Sequence, residues 1–405
     1  MNVAIINCLA KTHSTGKTAY GLHTHLKVSG HNSRIFYGRD DPTAEGEGDL
    51  VRFCGKREVW LNALAARLTG GEGLQAKHAT RRLLKELDAF APDAVYLLNM
   101  HAYFLNFPML FTYLGRRGCK TIYMMLDDYA FLGKCCFAYS CRKYQTECNQ
   151  CPQVREYPKS LFFDRANHIF HAKRQAYSKV KDLTFVGIAY TIAQAKESAL
   201  LRGARFVKLD EAVNLREVYY PRDAVRLRAQ LGIPAENKVV VTVAPFSNER
   251  KGGKFFLEAA RQLLNRKEFT FVHVGFDGDR SLCPSNYIPV SYISDQNLLA
   301  EYYSLGDVFV CTSLAETVAN TCLEALSCGT PLLAFAVSGM PDCADPAYGT
   351  FIEARNVDAL AEAIGLTQKK SVEMVDSCRK YAESRYDSAE YFKGLEKLLW
   401  ETDTR

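Results

Sequence analysis

"DVFVCTSLAETVANTCLEALSCGTPLLAF", residues 307–335, sets the architecture expected of this chain. Residues 307–312 form a short β-branched and apolar run of the kind that makes a buried strand. A loop follows, then apolar residues at helical spacing, then a second apolar run at 331–337. Strand, loop, helix and strand in that order make a parallel βαβ unit.

The alternation extends in both directions. Strands are predicted at 3–7, 34–37, 94–99, 120–126, 183–189 and 205–209, and again at 238–244, 270–275, 287–293, 307–312, 331–337 and 350–353. Amphipathic stretches such as 74–89, 104–116, 253–265, 295–304 and 356–366 lie between them. Two such series predict two doubly wound, Rossmann-like α/β domains, each a parallel sheet wrapped by helices. The joint is expected near "NLREVYYPRD", residues 214–223, giving domains at 1–213 and 214–387. Ligands of such sheets sit at the carboxyl ends of the strands, so two facing sheets would frame a cleft. The stretch 133–160 breaks the alternation; rich in Cys, Tyr and charge, it reads as an inserted loop.

Composition narrows the function. At 405 residues the chain is long enough for two or three domains of roughly 150 residues each. A net charge of +6 suits anionic small molecules or contact with an acidic membrane surface, but lacks the concentrated basic stripe of a nucleic-acid binder. No apolar run approaches the ~20 residues that cross a bilayer, and the start is not that of a signal peptide. A cytoplasmic protein is expected, peripheral to the inner face of the cell membrane at most. Its 14 cysteines are then reduced thiols or metal ligands.

In 313–335, Glu316 and Glu324 form a Glu-x7-Glu pair, two helical turns apart if the helix is continuous. Residues 317–321 would present helix N-terminal amides, which favour a diphosphate. Glu324 suits ribose hydroxyls, as acidic residues do in dinucleotide sites. In "VTVAPFSNERKGGKFFLEAA", residues 241–260, Arg250 and Lys251 precede a helix and can neutralise a pyrophosphate leaving group. "INCLAKTHSTGKTAYGLHTHL", residues 6–26, suggests a P-loop, yet Lys11 stands where its first glycine is required. What remains is a strand-to-helix turn with Gly16 at the helix start, either an anion site or an ordinary turn.

Together these stretches resemble the retaining, nucleotide-sugar-dependent glycosyltransferases of family four, which have the GT-B fold. The resemblance is greatest to the exopolysaccharide (colanic-acid-type) branch. It rests on the paired glutamates with "CGTP", on Arg250–Lys251, and on "HSTGKTAYGL" followed by "RIFYGR". "LLNMHAYFLN" at 97–106, "DDYAFLGKC" at 127–135 and "CNQCPQVREYPKS" at 148–160 add to it. The resemblance implies that the second domain holds a nucleotide diphospho-sugar, such as a UDP- or GDP-sugar, with the base left open. Arg250 and Lys251 bind the diphosphate, and amides across Thr317, Val318, Ala319 and Asn320 assist. Glu324 holds the ribose, Glu316 contacts the sugar, and Gly16 lets the first domain approach the diphosphate. His101 contacts the acceptor or the sugar, and the acceptor, a glycan or lipid-linked glycan, lies mainly on the first domain. Catalysis needs no metal or other cofactor. The last helix, 388–405, crosses back onto the first domain; Tyr391, Phe392, Leu395, Leu398 and Leu399 give it an apolar side.

Two departures stand out. Leu126-Asp127 replaces the branch's usual His-Asp, and "LDEAVN" at 209–214 lacks the usual Asn-Gly of the interdomain turn. Two rival readings stay open: a nucleotide-sugar epimerase of the same fold, and a non-catalytic glycan- or nucleotide-binding relative.

The cysteine loop reads separately. Cys148-x2-Cys151 is a half site, and Cys141 with Cys135 or Cys136 completes four thiolates for a structural zinc. The resemblance favours Cys135, giving Cys135, Cys141, Cys148 and Cys151.

Overall fold

A computed structural model describes residues 1–401. They form two units: residues 1–209 with the C-terminal residues from Phe392 onward, and residues 210–391.

The first unit is built on a parallel sheet of seven strands. These are β1 (Asn2–Asn7), β2 (Asn32–Tyr37), β3 (Leu50–Arg52), β4 (Ala94–Leu97), β5 (Lys120–Met124), β6 (Leu183–Gly187) and β7 (Arg205–Lys208), in the order β3-β2-β1-β4-β5-β6-β7. Val3 to Ile6 are fully buried, as expected of a strand covered on both faces. β3 is absent from the expected strands. It is a three-residue edge paired only to β2, too short to show a period.

The second unit has six parallel strands. β8 (Lys238–Val243), β9 (Phe269–Val274), β10 (Tyr287–Val290), β11 (Val308–Cys311), β12 (Leu332–Phe335) and β13 (Gly349–Ile352) run in the order β10-β9-β8-β11-β12-β13. Both sheets reverse their strand order once, between β1 and β4 and between β8 and β11. Loops leaving the carboxyl ends of these four strands are where such sheets bind ligands. Gly16 and His101 follow β1 and β4; Lys251 and Glu316 follow β8 and β11.

The helix Ser388–Lys397 opens the C-terminal segment, of which residues 402–405 lie outside the described residues. Leu395, Leu398 and Leu399 are buried. Tyr96 donates to the Leu395 carbonyl at 2.6 Å, and Glu396 accepts from Ser29 and pairs with His25 and His31. The apolar side of this segment is therefore spent on packing. Among the described residues no helix is long and apolar enough to cross a membrane.

Candidate functional site

The loops after β8 and β11 are fastened to each other. Leu314 N–H donates to the Arg250 carbonyl at 2.7 Å, and Thr312 Oγ1 donates to the Gly252 carbonyl at 2.9 Å. Gly252 has φ +68°, and a Cβ there would lie 2.0 Å from the Thr312 carbonyl oxygen. Only glycine lets the two backbones come this close.

That fastening places the charges. Arg250 Nη1 and Lys251 Nζ each lie 2.7 Å from Oε1 of Glu316, and Arg250 Nη1 also donates to the Ala315 carbonyl at 2.6 Å. Glu316 is buried. Burial alone would raise its carboxyl, but Lys251 and Arg250 outweigh it and hold the group below the ordinary glutamate value. Buried charges persist when paired in this way.

Glu316 is not on the helix. The helix is Asn320–Ser327, with Ala319 at its N-cap, so Glu316, Thr317 and Val318 lie in the preceding loop and the glutamates do not share one continuous helix. Ala319 has no side-chain acceptor, so the first amides of this helix receive no cap from it. Glu324, one turn in, is buried, and Tyr303 donates to its Oε2 at 2.6 Å.

In the first unit, the turn after β1 already holds an anion of its own. The amides of Ala10, Lys11 and Thr12 donate to Oδ2 of Asp41 at 3.0, 2.8 and 3.1 Å. Gly16 lies in the first turn of the helix His13–Val28, and a Cβ there would meet the Lys11 backbone at 2.9 Å. After β4, His101 Nε2 lies 2.6 Å from Oδ2 of Asp127, and Nδ1 lies 3.1 Å from the Tyr157 hydroxyl. The residues that follow, Ala102 and Tyr103, have positive φ, and their amides converge on Oε1 of buried Glu72.

These geometries accompany clear likenesses to known proteins. Residues 237–367 match the family model described as Glycosyl transferases group 1. That stretch is about a third of the chain. The chain is 22% identical over 346 residues to the putative colanic acid biosynthesis glycosyl transferase WcaC of Escherichia coli (strain K12), covering 82% of this chain and 83% of that protein. It is 28% identical over 193 residues to the D-inositol 3-phosphate glycosyltransferase of Mycobacterium bovis, covering 44% of this chain and 39% of that one. The fold matches the crystal structure of WaaG, a glycosyltransferase involved in lipopolysaccharide biosynthesis, with TM-score 0.68, 16% identity and coverage of 99% and 100%. It also matches Anabaena Alr3699/HepE in complex with UDP-glucose, with TM-score 0.68, 12% identity and coverage of 98% for both chains. Two parallel-sheet α/β units with these neighbours make the fold GT-B.

The matched stretch contains Arg250, Lys251, Glu316 and Glu324 together. It also shows what the sequence did not. Tyr303 reaches Glu324 from the helix Gln296–Leu305, where only an amphipathic helix was legible. Glu211 lies just ahead of this stretch, within the divergent "LDEAVN"; burial and the charge of Glu316 push its carboxyl up to about 8. A cavity of about 310 Å³, lined by Asp307, Pro331 and Lys370, lies at the amino ends of β11 and β12 and contains none of the predicted donor residues.

The inserted loop has one 3-10 turn, Lys143–Gln145, between residues 133 and 160. The sulfurs of Cys135 and Cys151 lie 4.0 Å apart. Burial, with smaller contributions from the charges of Cys141 and Cys151, pushes the Cys148 thiol up to about 11. Among the described residues, the set of three candidate ligands within 4.8 Å of one another is His101, Asp127 and Cys136. Of the four predicted cysteines, Cys135 and Cys151 are thus close, but the four are not drawn into one shell, and Cys136 faces His101 instead.

Proposed function

We propose that this chain is a retaining glycosyltransferase that moves a sugar from a nucleotide diphospho-sugar to a glycan or lipid-linked glycan acceptor in surface polysaccharide synthesis. The observation that carries this reading is the convergence of Arg250 and Lys251 on one oxygen of Glu316, where the strand order of the second sheet reverses. Two fixed cations beside a helix start form a receptor for a diphosphate.

In this reading the diphosphate takes its place beside Arg250 and Lys251, with the amides from Thr317 to Asn320 around it. Glu324, oriented by Tyr303, accepts from the ribose hydroxyls. Glu316 faces the sugar. The bond from the anomeric carbon to phosphate oxygen breaks, and a bond to the acceptor oxygen forms on the same face. The acceptor's proton passes to the departing phosphate. Charge gathers on the leaving diphosphate, and the basic pair stabilises it without reorganising. His101, aligned by Asp127 and Tyr157, contacts the acceptor on the first unit. The UDP and UDP-glucose complexes of the HepE structures support a uridine donor.

Cys135, Cys141, Cys148 and Cys151 would hold a structural zinc. The 4.0 Å between Cys135 and Cys151 sulfurs is close to the roughly 3.8 Å of two thiolates on one tetrahedral zinc. The metal would supply a cross-link to a loop with little core of its own.

A thermal-shift screen of UDP-, GDP-, ADP- and CMP-sugars tests the reading, because a ligand bound only to the folded state raises the melting midpoint. One class should stand out and then support transfer. A flat response to all four would overturn it.

A further inference from the structure

The helix Lys56–Thr69 in the first unit is inside out. It turns Val59, Asn62, Ala63 and Ala66 towards the protein; Ala66 is its one buried residue, and Asn62 accepts from the Ala76 amide at 3.2 Å. Its large apolar side chains face outward. Trp60 is 64% exposed and Leu61 57%, and Leu64 and Leu68 are exposed as well. At about 100° per residue these four fall within a single arc about 100° wide.

A second apolar segment joins this arc. Leu161 N–H donates to the Arg67 carbonyl at 2.8 Å, and the Phe163 carbonyl accepts from Ser160 Oγ beside Gly70 at the helix end. Phe162 is 70% exposed and Phe163 58%. Two phenylalanines, a tryptophan and several leucines thus share one open face, well beyond the scattered apolar residues of an ordinary surface.

The surrounding charge is mainly basic. Lys56, Arg57, Arg67, Lys159 and Arg165 are exposed around the patch, against exposed Asp164 next to Phe163 and Asp40, which lies 3.5 Å from Lys56. The one acidic residue of the helix, Glu58, points away and pairs with Arg82. Interfacial aromatics with a lysine and arginine rim are complementary to an anionic lipid surface.

We propose that this face docks on an anionic bilayer and that the acceptor is lipid-linked. The proposal deepens the reading of His101 as the acceptor contact and rests on it. Tyr157, whose hydroxyl meets His101, lies a few residues before Leu161 on the same segment. An acceptor whose lipid stays in the bilayer would have its glycan end delivered beside His101.

Co-sedimentation of the full chain with vesicles tests this. Binding is expected to vesicles of phosphatidylglycerol and phosphatidylethanolamine at low salt, to weaken as salt screens the basic rim, and to be absent for phosphatidylcholine alone. The double variant Phe162→Ser/Phe163→Ser, and separately Leu64→Gln, should cut binding by ~10-fold or more while melting as the parent does, since exposed side chains are removed. The proposal is overturned if the parent stays in solution with anionic vesicles, or if the variants sediment equally well. It is likewise overturned if the parent is a dimer that these substitutions split, which would assign the face to a second copy. The donor-sugar melting response is read on the same samples. A variant that loses vesicles but keeps that response bears on the lipid proposal alone, whereas a parent without any response removes the glycosyltransferase reading.

Discussion

The ammonium of Lys251 lies 2.7 Å from Oε1 of Glu316. Arg250 reaches the same oxygen. The protein's own carboxylate therefore holds the two cations to which the proposed function assigns a diphosphate. In the proposed function Glu316 keeps the pair in place and competes with the donor for it.

Replacing Lys251 by Ala should remove charge stabilisation that matters most as the diphosphate leaves. kcat is expected to fall by at least ~100-fold. Steady-state kinetics with the donor found in the screen measures it, and an unchanged kcat removes Lys251 from the mechanism.

Glu316→Gln removes the competitor. Without nucleotide the protein should melt lower, because Arg250 and Lys251 lose their buried counter-charge, at a cost on the order of 1–3 kcal/mol. Added nucleoside diphosphate should then raise the midpoint more than in the parent, while transfer falls. An equal or smaller nucleotide response would show that Glu316 does not contend with phosphate.

Tyr303→Phe tests the orientation of Glu324. The hydroxyl that donates to Oε2 disappears while the ring stays in its buried place. KM for the donor should rise roughly tenfold, the loss expected for a hydrogen bond to a charged group, with kcat nearly constant. A drop in kcat at unchanged KM would place Glu324 in the chemical step instead.

Glu211 predicts a pH dependence. With its carboxyl near 8, the folded state keeps the proton after the unfolded chain has lost it. Stability is fully present below the ordinary glutamate range and declines as pH rises towards 8, by on the order of 2 kcal/mol. Glu211→Gln abolishes that decline. Melting curves from pH 4 to 9 should show the variant drawing ahead of the parent through this window, and parallel curves would exclude it.

For the cysteine loop, elemental analysis of protein made with added zinc should find one zinc per chain, and Cys148→Ser should lose it and melt lower. Metal-free parent protein would reject the site.

The sheets were legible because a strand buried on both faces is written as a continuous apolar run; β1 and β8 show this most plainly. β3 was not, since three residues at an edge carry no period. The helix carrying Glu324 was expected to open at 317–321 and opens at Asn320; the loop before it is held by bonds to Arg250 and Gly252, which is why Glu316 lies outside the helix. Arg250, Lys251, Glu316 and Glu324 stood out as charges beside glycine and helix starts. Their supports did not. Tyr303 acts across 21 residues and Asp41 across about 30, and nothing nearby in the chain signals a partner so distant.

The contact of Gly252 with Thr312 has an engineering consequence. Neither loop can be exchanged alone without losing the bonds that clasp it to the other. A transplanted 244–252 segment would arrive without the acceptors and donors that clasp it, and the same is true of 312–319 moved alone. The two must be exchanged as one cassette, with the glycine retained.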